Sequence, residues 1–117
     1  MNYRKFGKLD WNVSALGFGA MRLPVVNNDH GNINAPEAIR MMRYAFDHGV
    51  NYVDSGYGYH NGNSEVVIGR ALMDGYREKV RIATKLPCHI VNSAKDFDRC
   101  LDQQLERLQT SKIDFYR

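Results

Sequence analysis

The sequence is short of most features that would set it apart from an ordinary folded chain. It has two cysteines in 117 residues, Cys88 and Cys100. That is too few for a disulfide framework or a four-cysteine metal site, and a reducing cytoplasm is the expected setting. No apolar run nears the roughly 18 residues that a membrane span requires, so no membrane partner is expected. The opening MNYRKFGKLD has basic residues but no apolar stretch behind them, and it does not read as a secretory signal. No block of one charge sign stands out either. The 16 Lys and Arg are interleaved with 13 Asp and Glu, for a net charge of +3. This offers nucleic acid no basic face. His30, His48, His60 and His89 show no metal-ligating spacing, and no metal is expected.

What remains is close to average. Apolar residues make up 44% of the chain and charged residues 25%, as in a soluble globular domain. Residues 1–117 are expected to form a single domain.

Three punctuated units follow one another. The first opens on SALGFGAM (Ser14 to Met21), an apolar run that predicts a strand. A polar stretch around Asn27, Asn28, Asp29 and Gly31 follows. A helix is predicted from about Pro36 to His48, with Pro36 in the first turn, Glu37 favoured by the helix dipole and Gly49 as the stop. Ile39, Met42 and Phe46 form its apolar face. The second unit opens on VNYVD (Val50 to Asp54). A glycine-rich loop then leads to Asn63 and Ser64 as expected caps, a face of Val67, Ile68, Ala71 and Leu72, and Gly75 as terminator. The third opens on VRIATK (Val80 to Lys85) and is broken by Pro87. Ser93 and Asp96 make an approximate capping box, and Phe97, Leu101, Leu105 and Leu108 repeat at helical spacing. A fourth strand begins at KIDFY (Lys112 to Tyr116).

Strand and helix alternating at about 30-residue spacing is the βαβ pattern, which makes the strands parallel with right-handed crossovers. YRKFG and WNV ahead of Ser14 predict a small hairpin. A (β/α)8 barrel and a doubly wound dinucleotide fold share this pattern. Gly17 and Gly19 supply G-x-G, but Arg22 stands at the third glycine position and no helix opens at once. The barrel is therefore the preferred class: α/β, about three βα units plus a fourth strand, preceded by a short β-hairpin.

In such folds functional residues gather at the C-terminal ends of the strands. Asp54 ends the second strand and Lys85 the third. One crossover separates them, so they are expected at the same level on neighbouring strands about 4.8 Å apart. Tyr59 lies in the loop after Asp54, on that face. A free phenol, with pKa near 10, is a poor acid at neutral pH. An ammonium beside it favours the phenolate, and a carboxylate holds the ammonium charged. Such a trio can protonate an oxygen that is becoming an alkoxide, as carbonyl reduction by nicotinamide hydride requires. Spacing alone leaves a second reading open, in which Asp54 and Lys85 form a surface ion pair and Tyr59 is one of seven tyrosines without a role.

The sequence resembles the aldo/keto reductases over nearly its whole length. The resemblance is carried by SALGFGAMRL, HGVNYVDSGYGYHNGNSEVVIGRAL, REKVRIATKLP and LDQQLERLQTSKIDFYR. The family pattern G-x-N-x-x-D-T-A-x-x-Y-G-x-S-E and a third strand ending in T-K are matched at Gly49, Asn51, Asp54, Tyr59, Ser64, Glu65, Thr84 and Lys85. Ser55 and Gly56 replace the common Thr-Ala, and His60 stands where glycine is frequent. The resemblance implies a (β/α)8 barrel that binds NADPH across its strand ends. It implies Tyr59 as proton donor, Lys85 as the group that acidifies it and Asp54 as the lysine's partner. It also implies Gly19, Ala20, Met21 and Arg22 near the nicotinamide. The closest likeness is to bacterial members reading M-R-L-P after the first strand, many of which carry a C-terminal iron–sulfur segment that this chain does not have.

A complete barrel takes about 250 residues, and the family's catalytic histidine normally follows just after a sequence like Asp114-Phe115-Tyr116. The chain thus reads as the N-terminal part of an NADPH-dependent reductase of aldehydes or ketones, inactive by itself. An open half-barrel exposes an apolar face and an unpaired edge, so self-association is expected. The alternatives are a noncatalytic binding or regulatory subunit and, more weakly, an isomerase or lyase on the same barrel. His48 suits a helix C-terminus. His60 and His89 are expected as surface residues of the functional face, with substrate contact as their alternative. Cys88 is expected as a partly buried spectator.

Overall fold

A computed structural model describes all residues 1–117. The predicted hairpin is present: β1 (Tyr3–Lys5) pairs antiparallel with β2 (Asn12–Ser14). It is tied to the main sheet by a reciprocal pair of bonds. Ser14 N donates to Asn51 Oδ1 at 2.9 Å, and Asn51 N donates to Ser14 Oγ at 3.1 Å. Ser14 therefore belongs to the hairpin and not to the first sheet strand, where the apolar run had placed it. That strand is only β3 (Phe18–Gly19).

The polar stretch after β3 is a second hairpin. In it β4 (Val25–Val26) pairs with β5 (Asp29–Ile33). Asn27 and Asn28 turn it with φ of 54° and 55°. Asparagine tolerates this left-handed region better than most residues, and two such residues in succession suit a tight hairpin turn.

Helix α1 (Ala35–Asp47) is capped by Asn34, whose side chain accepts from Glu37 N. Its buried face is Ala38, Met42 and Phe46, keeping Met42 and Phe46 of the predicted stripe and putting Ala38 in place of Ile39, which packs at the margin. Strand β6 (Tyr52–Asp54) follows, then α2 (Asn63–Ala71). The expected caps Asn63 and Ser64 do not cap α2. Gly62, at φ 90°, starts the helix with no side-chain bond, and the Ser64 hydroxyl donates to Ala20 O at 2.9 Å. Gly75 is not the terminator either: α2 stops before Leu72, and Gly75 turns the chain later at φ 87°. Val67, Ile68, Ala71 and Leu72 are all buried, as expected.

Strand β7 (Arg81–Thr84) leads through a short 3₁₀ turn at Cys88–Ile90 to α3 (Ala94–Leu108) and then β8 (Phe115–Tyr116). Ser93 caps α3, accepting from Asp96 N. Asp96 Oδ2 accepts in return from Asn92 N, one residue before the cap. The four parallel strands lie in the order β3-β6-β7-β8. Every crossover in the main sheet joins neighbours, as the repeat predicted.

Side chains alternate across the sheet with the two-residue period of a strand. Val53, Ile82 and Thr84 are fully buried, Val53 and Ile82 within the cluster that includes Met42, Phe46, Ile68 and Leu108 of the helices. Tyr52 and Phe115 point the other way. They meet Phe6 and Trp11 of the hairpin in an aromatic cluster, with Phe6 and Phe115 centroids 4.9 Å apart. The hairpin thus closes the N-terminal ends of the strands and leaves the opposite rim open. Helix α2 meets α3 at unusually close range. A Cβ on Gly69 would stand 2.8 Å from the carbonyl oxygens of Arg107 and Leu108, so only glycine fits there.

β3 and β8 have no partner on their outer edges. Next to β3, Leu16, Met41 and Tyr44 are exposed and line, with Met1, Phe18 and Val50, a groove of about 500 Å³. An open parallel edge beside apolar surface favours pairing with another chain. The 117-residue chain expressed alone is expected to sediment with a mass that rises with concentration. A monomer at all concentrations with a sharp unfolding transition would contradict this.

Candidate active site

The rim opposite the hairpin carries Asp54, at the end of β6, and Lys85, one residue beyond β7. They are not at the same level. The register sets Asp54 opposite Ala83, so Lys85 is two residues further along the same face, about 6.6 Å of strand. Its long side chain reaches back over that distance. Lys85 Nζ donates to Asp54 Oδ2 at 2.9 Å and to the carbonyl of Ser55 at 2.5 Å. Asp54 Oδ1 accepts from the guanidinium of Arg117, just past β8. One carboxylate thus anchors two cations in a partly exposed setting.

Tyr59 comes to the same place. Lys85 Nζ stands over its ring, 4.7 Å from the centroid, a cation–π arrangement. The sequence predicts an ammonium beside this phenol. The amine bonds to Asp54 and Ser55 and meets the ring through its face. Gly56 explains how the ring lies so close to the backbone, since a Cβ there would be 3.0 Å from Tyr59 Cε1. The replacement of alanine by glycine at this position therefore has a steric meaning. A cleft of about 420 Å³ opens beside the ring, lined by Gly56, Tyr59, Lys85, Pro87, Cys88 and His89.

The residues expected near a nicotinamide lie one strand over. Gly19 is the register partner of Asp54. It is exposed, and the space where a side chain would stand is empty to 4 Å. Ala20 is fully buried. Its N–H donates to Asp54 O at 2.8 Å, and its carbonyl accepts from Ser64. Met21 and Arg22 are exposed. The hydroxyls of Ser55 and Ser64 share a bond at 2.9 Å, so one chain of hydrogen bonds joins the ends of β3 and β6 to the start of α2.

Other expectations resolve differently. His60 is not a surface residue: it is 1% exposed. Leu23 N donates to its Nε2 at 2.9 Å, so Nδ1 carries the proton and donates to His30 O at 2.7 Å. His89 is exposed, and Cys88 is exposed at the cleft where a half-buried thiol was expected. His48 sits at the α1 C-terminus as predicted.

Sequence reasoning missed a buried polar cluster beneath the rim. Glu65 and Gln104 are both fully buried. Gln104 Oε1 accepts from the Tyr116 hydroxyl at 2.5 Å. Burial pushes the Tyr116 phenol up to about 12, with Cys100 and Glu65 adding to the rise. The face of α3 turned inward is Cys100, Gln104 and Leu108; of the predicted Phe97, Leu101, Leu105 and Leu108, only Leu108 is fully buried on it. Phe97 is 37% exposed. The signal was available in the spacing: Gln104 stands four residues from both Cys100 and Leu108, in the middle of an inward stripe.

The aldo/keto reductase family profile matches residues 15–117. The chain belongs to the aldo/keto reductase family. It is 32% identical over 120 residues to a probable aldo-keto reductase of Glycine max, covering 96% of this chain and 34% of that protein. It is 34% identical over 101 residues to the NADH-specific methylglyoxal reductase of Escherichia coli K12, covering 85% of this chain and 30% of that one. An aldo-keto reductase from Klebsiella pneumoniae, solved in complex with NADPH, superposes with a TM-score of 0.73 at 28% identity, over 90% of this chain and 34% of that chain. The chain thus spans about a third of the length of the curated relatives it matches. Its four parallel strands and outer helices are part of the reductase barrel, the fold class that the sequence implied. No helix is long and apolar enough to cross a membrane.

Proposed function

We propose that these residues form the N-terminal part of a longer barrel, and that the whole protein reduces an aldehyde or ketone with NADPH. The observation that carries this reading is the Lys85–Asp54 pair at 2.9 Å beneath the ring of Tyr59. Tyr59 gives its proton to the carbonyl oxygen as that oxygen gains charge. Lys85 stabilises the negative charge that develops on the phenol oxygen. Asp54 and the Ser55 carbonyl fix the amine and keep it aimed at the ring. NADPH, when bound, supplies the hydride. Gly19, with open space above it and Asp54 alongside, suits the close approach of a flat ring, and Met21 and Arg22 present accessible side chains next to it.

The substrate is a small carbonyl compound, held on the cleft side of Tyr59. The 117-residue segment alone is expected to be inactive, because a barrel site draws residues from several strands. An exposed Cys88 and a buried Cys100, both free thiols, suit a reducing cytoplasm. The noncatalytic subunit is the weaker reading. It gives no reason for a carboxylate, an amine and a phenol to meet at one rim.

The direct test is cofactor consumption by the full-length protein against a panel of small aldehydes and ketones. NADPH loss matched mole for mole by alcohol is the expected result, with NADH the poorer donor. Binding of NADPH without turnover on any carbonyl would favour the noncatalytic subunit. Faster turnover with NADH would reverse the nucleotide preference and leave the reaction intact.

A further inference from the structure

Glu65 is a fully buried carboxylate that takes no part in the proton transfer proposed above. Its surroundings are all donors. Oε2 accepts from Thr84 Oγ1 at 2.8 Å and from Gln104 Nε2 at 2.9 Å, and Oε1 accepts from Arg107 Nη1 at 3.0 Å. Two of these donors have a second bond that leads to the rim. Gln104 Nε2 also donates to the main-chain carbonyl of Lys85 at 3.0 Å. Arg107 Nη1 also donates to the carbonyl of Tyr57 at 2.9 Å, and its guanidinium lies 4.3 Å from the centroid of the Tyr57 ring.

A buried ion pair is a weak source of stability, because desolvation offsets most of the attraction, and an apolar replacement of equal volume is often as stable. Its value lies in geometry. On one side Glu65 holds the segment Thr84-Lys85, which carries the amine. On the other it holds Tyr57, two residues before the phenol.

We infer that Glu65 is a positioning residue: through Gln104 and Arg107 it sets the placement of Lys85 relative to Tyr59. The inference rests on the reductase reading of that site. Loss of the clamp displaces the two groups from each other while leaving Gly19 to Arg22, one strand away, in place. A displacement of about 1 Å at reacting groups can cost on the order of a hundredfold in rate. The rate should therefore suffer and cofactor binding should not.

The experiment uses the full-length protein, NADPH and the best carbonyl substrate found. Glu65→Gln keeps the shape but turns an amide N–H towards donors. Gln104→Met removes the grip on the Lys85 carbonyl without stranding a buried charge. In both, kcat is expected to fall about tenfold to a hundredfold, with KM and Kd for NADPH within about twofold of the parent. An unchanged kcat in a folded variant overturns the inference. So does a parallel loss of kcat, NADPH affinity and melting temperature, which is what a merely stabilising role would give. Should Glu65→Gln fail to fold, Gln104→Met decides by the same two outcomes. A Tyr59→Phe control run alongside separates the failures: if that variant is fully active, the reading of the site is at fault and not the clamp.

Discussion

Under the proposed function, Tyr59→Phe in the full-length protein is expected to lower kcat by about a hundredfold to ten-thousandfold, the usual contribution of a positioned general acid. The structure makes this a narrow substitution. The Tyr59 ring packs against Gly56 and carries the Lys85 ammonium over its face. Phenylalanine keeps both contacts and loses only the hydroxyl. Affinity for NADPH should accordingly stay within about twofold, measured by quenching of protein fluorescence. Wild-type turnover in this variant would take the proton-donor role away from Tyr59. Joint loss of turnover and cofactor binding would mean that the ring serves mainly as a wall of the site.

Lys85→Met is expected to cost about a hundredfold to a thousandfold in kcat, in the range seen when one preorganised charge-stabilising donor is lost. The ammonium occupies a tight position, 2.9 Å from Asp54 Oδ2 and 2.5 Å from the Ser55 carbonyl. Methionine fills most of the same volume but leaves that carbonyl without its donor. Lys85→Arg should not restore the rate. A planar guanidinium is broader than the ammonium and donates in a fixed fork, and the guanidinium of Arg117 already takes Asp54 Oδ1. Steady-state kinetics on the two variants with NADPH saturating would check both statements. Full activity in Lys85→Arg would show that any cation suffices there.

Much of this arrangement could be read from the chain. Three βα repeats ordered the strands, and one crossover between Asp54 and Lys85 made their strands neighbours. Ser93 announced the start of α3 because a serine oxygen accepts the free N–H of Asp96. What escaped were features that depend on partners distant in sequence. Register was one: the two-residue offset between Asp54 and Lys85 depends on how β6 and β7 slide past each other, which no local pattern records. Ser64 looks like a cap until its hydroxyl is seen bonded to Ala20 O. α3 turns Cys100, Gln104 and Leu108 inward rather than its whole leucine stripe, and Gln104 there meets Glu65 of α2. His60 read as polar surface, and only the second hairpin, brought over it by Asn27 and Asn28, buries it. The hydrophobic pattern locates elements well, but it does not register a polar side chain whose partner comes from another part of the chain.

The neutral imidazole of His60 has a mechanical meaning for ligand exchange. It takes a proton bond from Leu23 and gives one to His30, while its ring stacks on that of His30 at 4.2 Å. It is also the residue immediately after Tyr59. The segment 23–30 and the Tyr59 loop are therefore stitched together, and this stretch of the rim does not swing aside as a flap without drawing Tyr59 with it. Under the proposed reading, entry and departure of a long dinucleotide fall to other stretches of the wall.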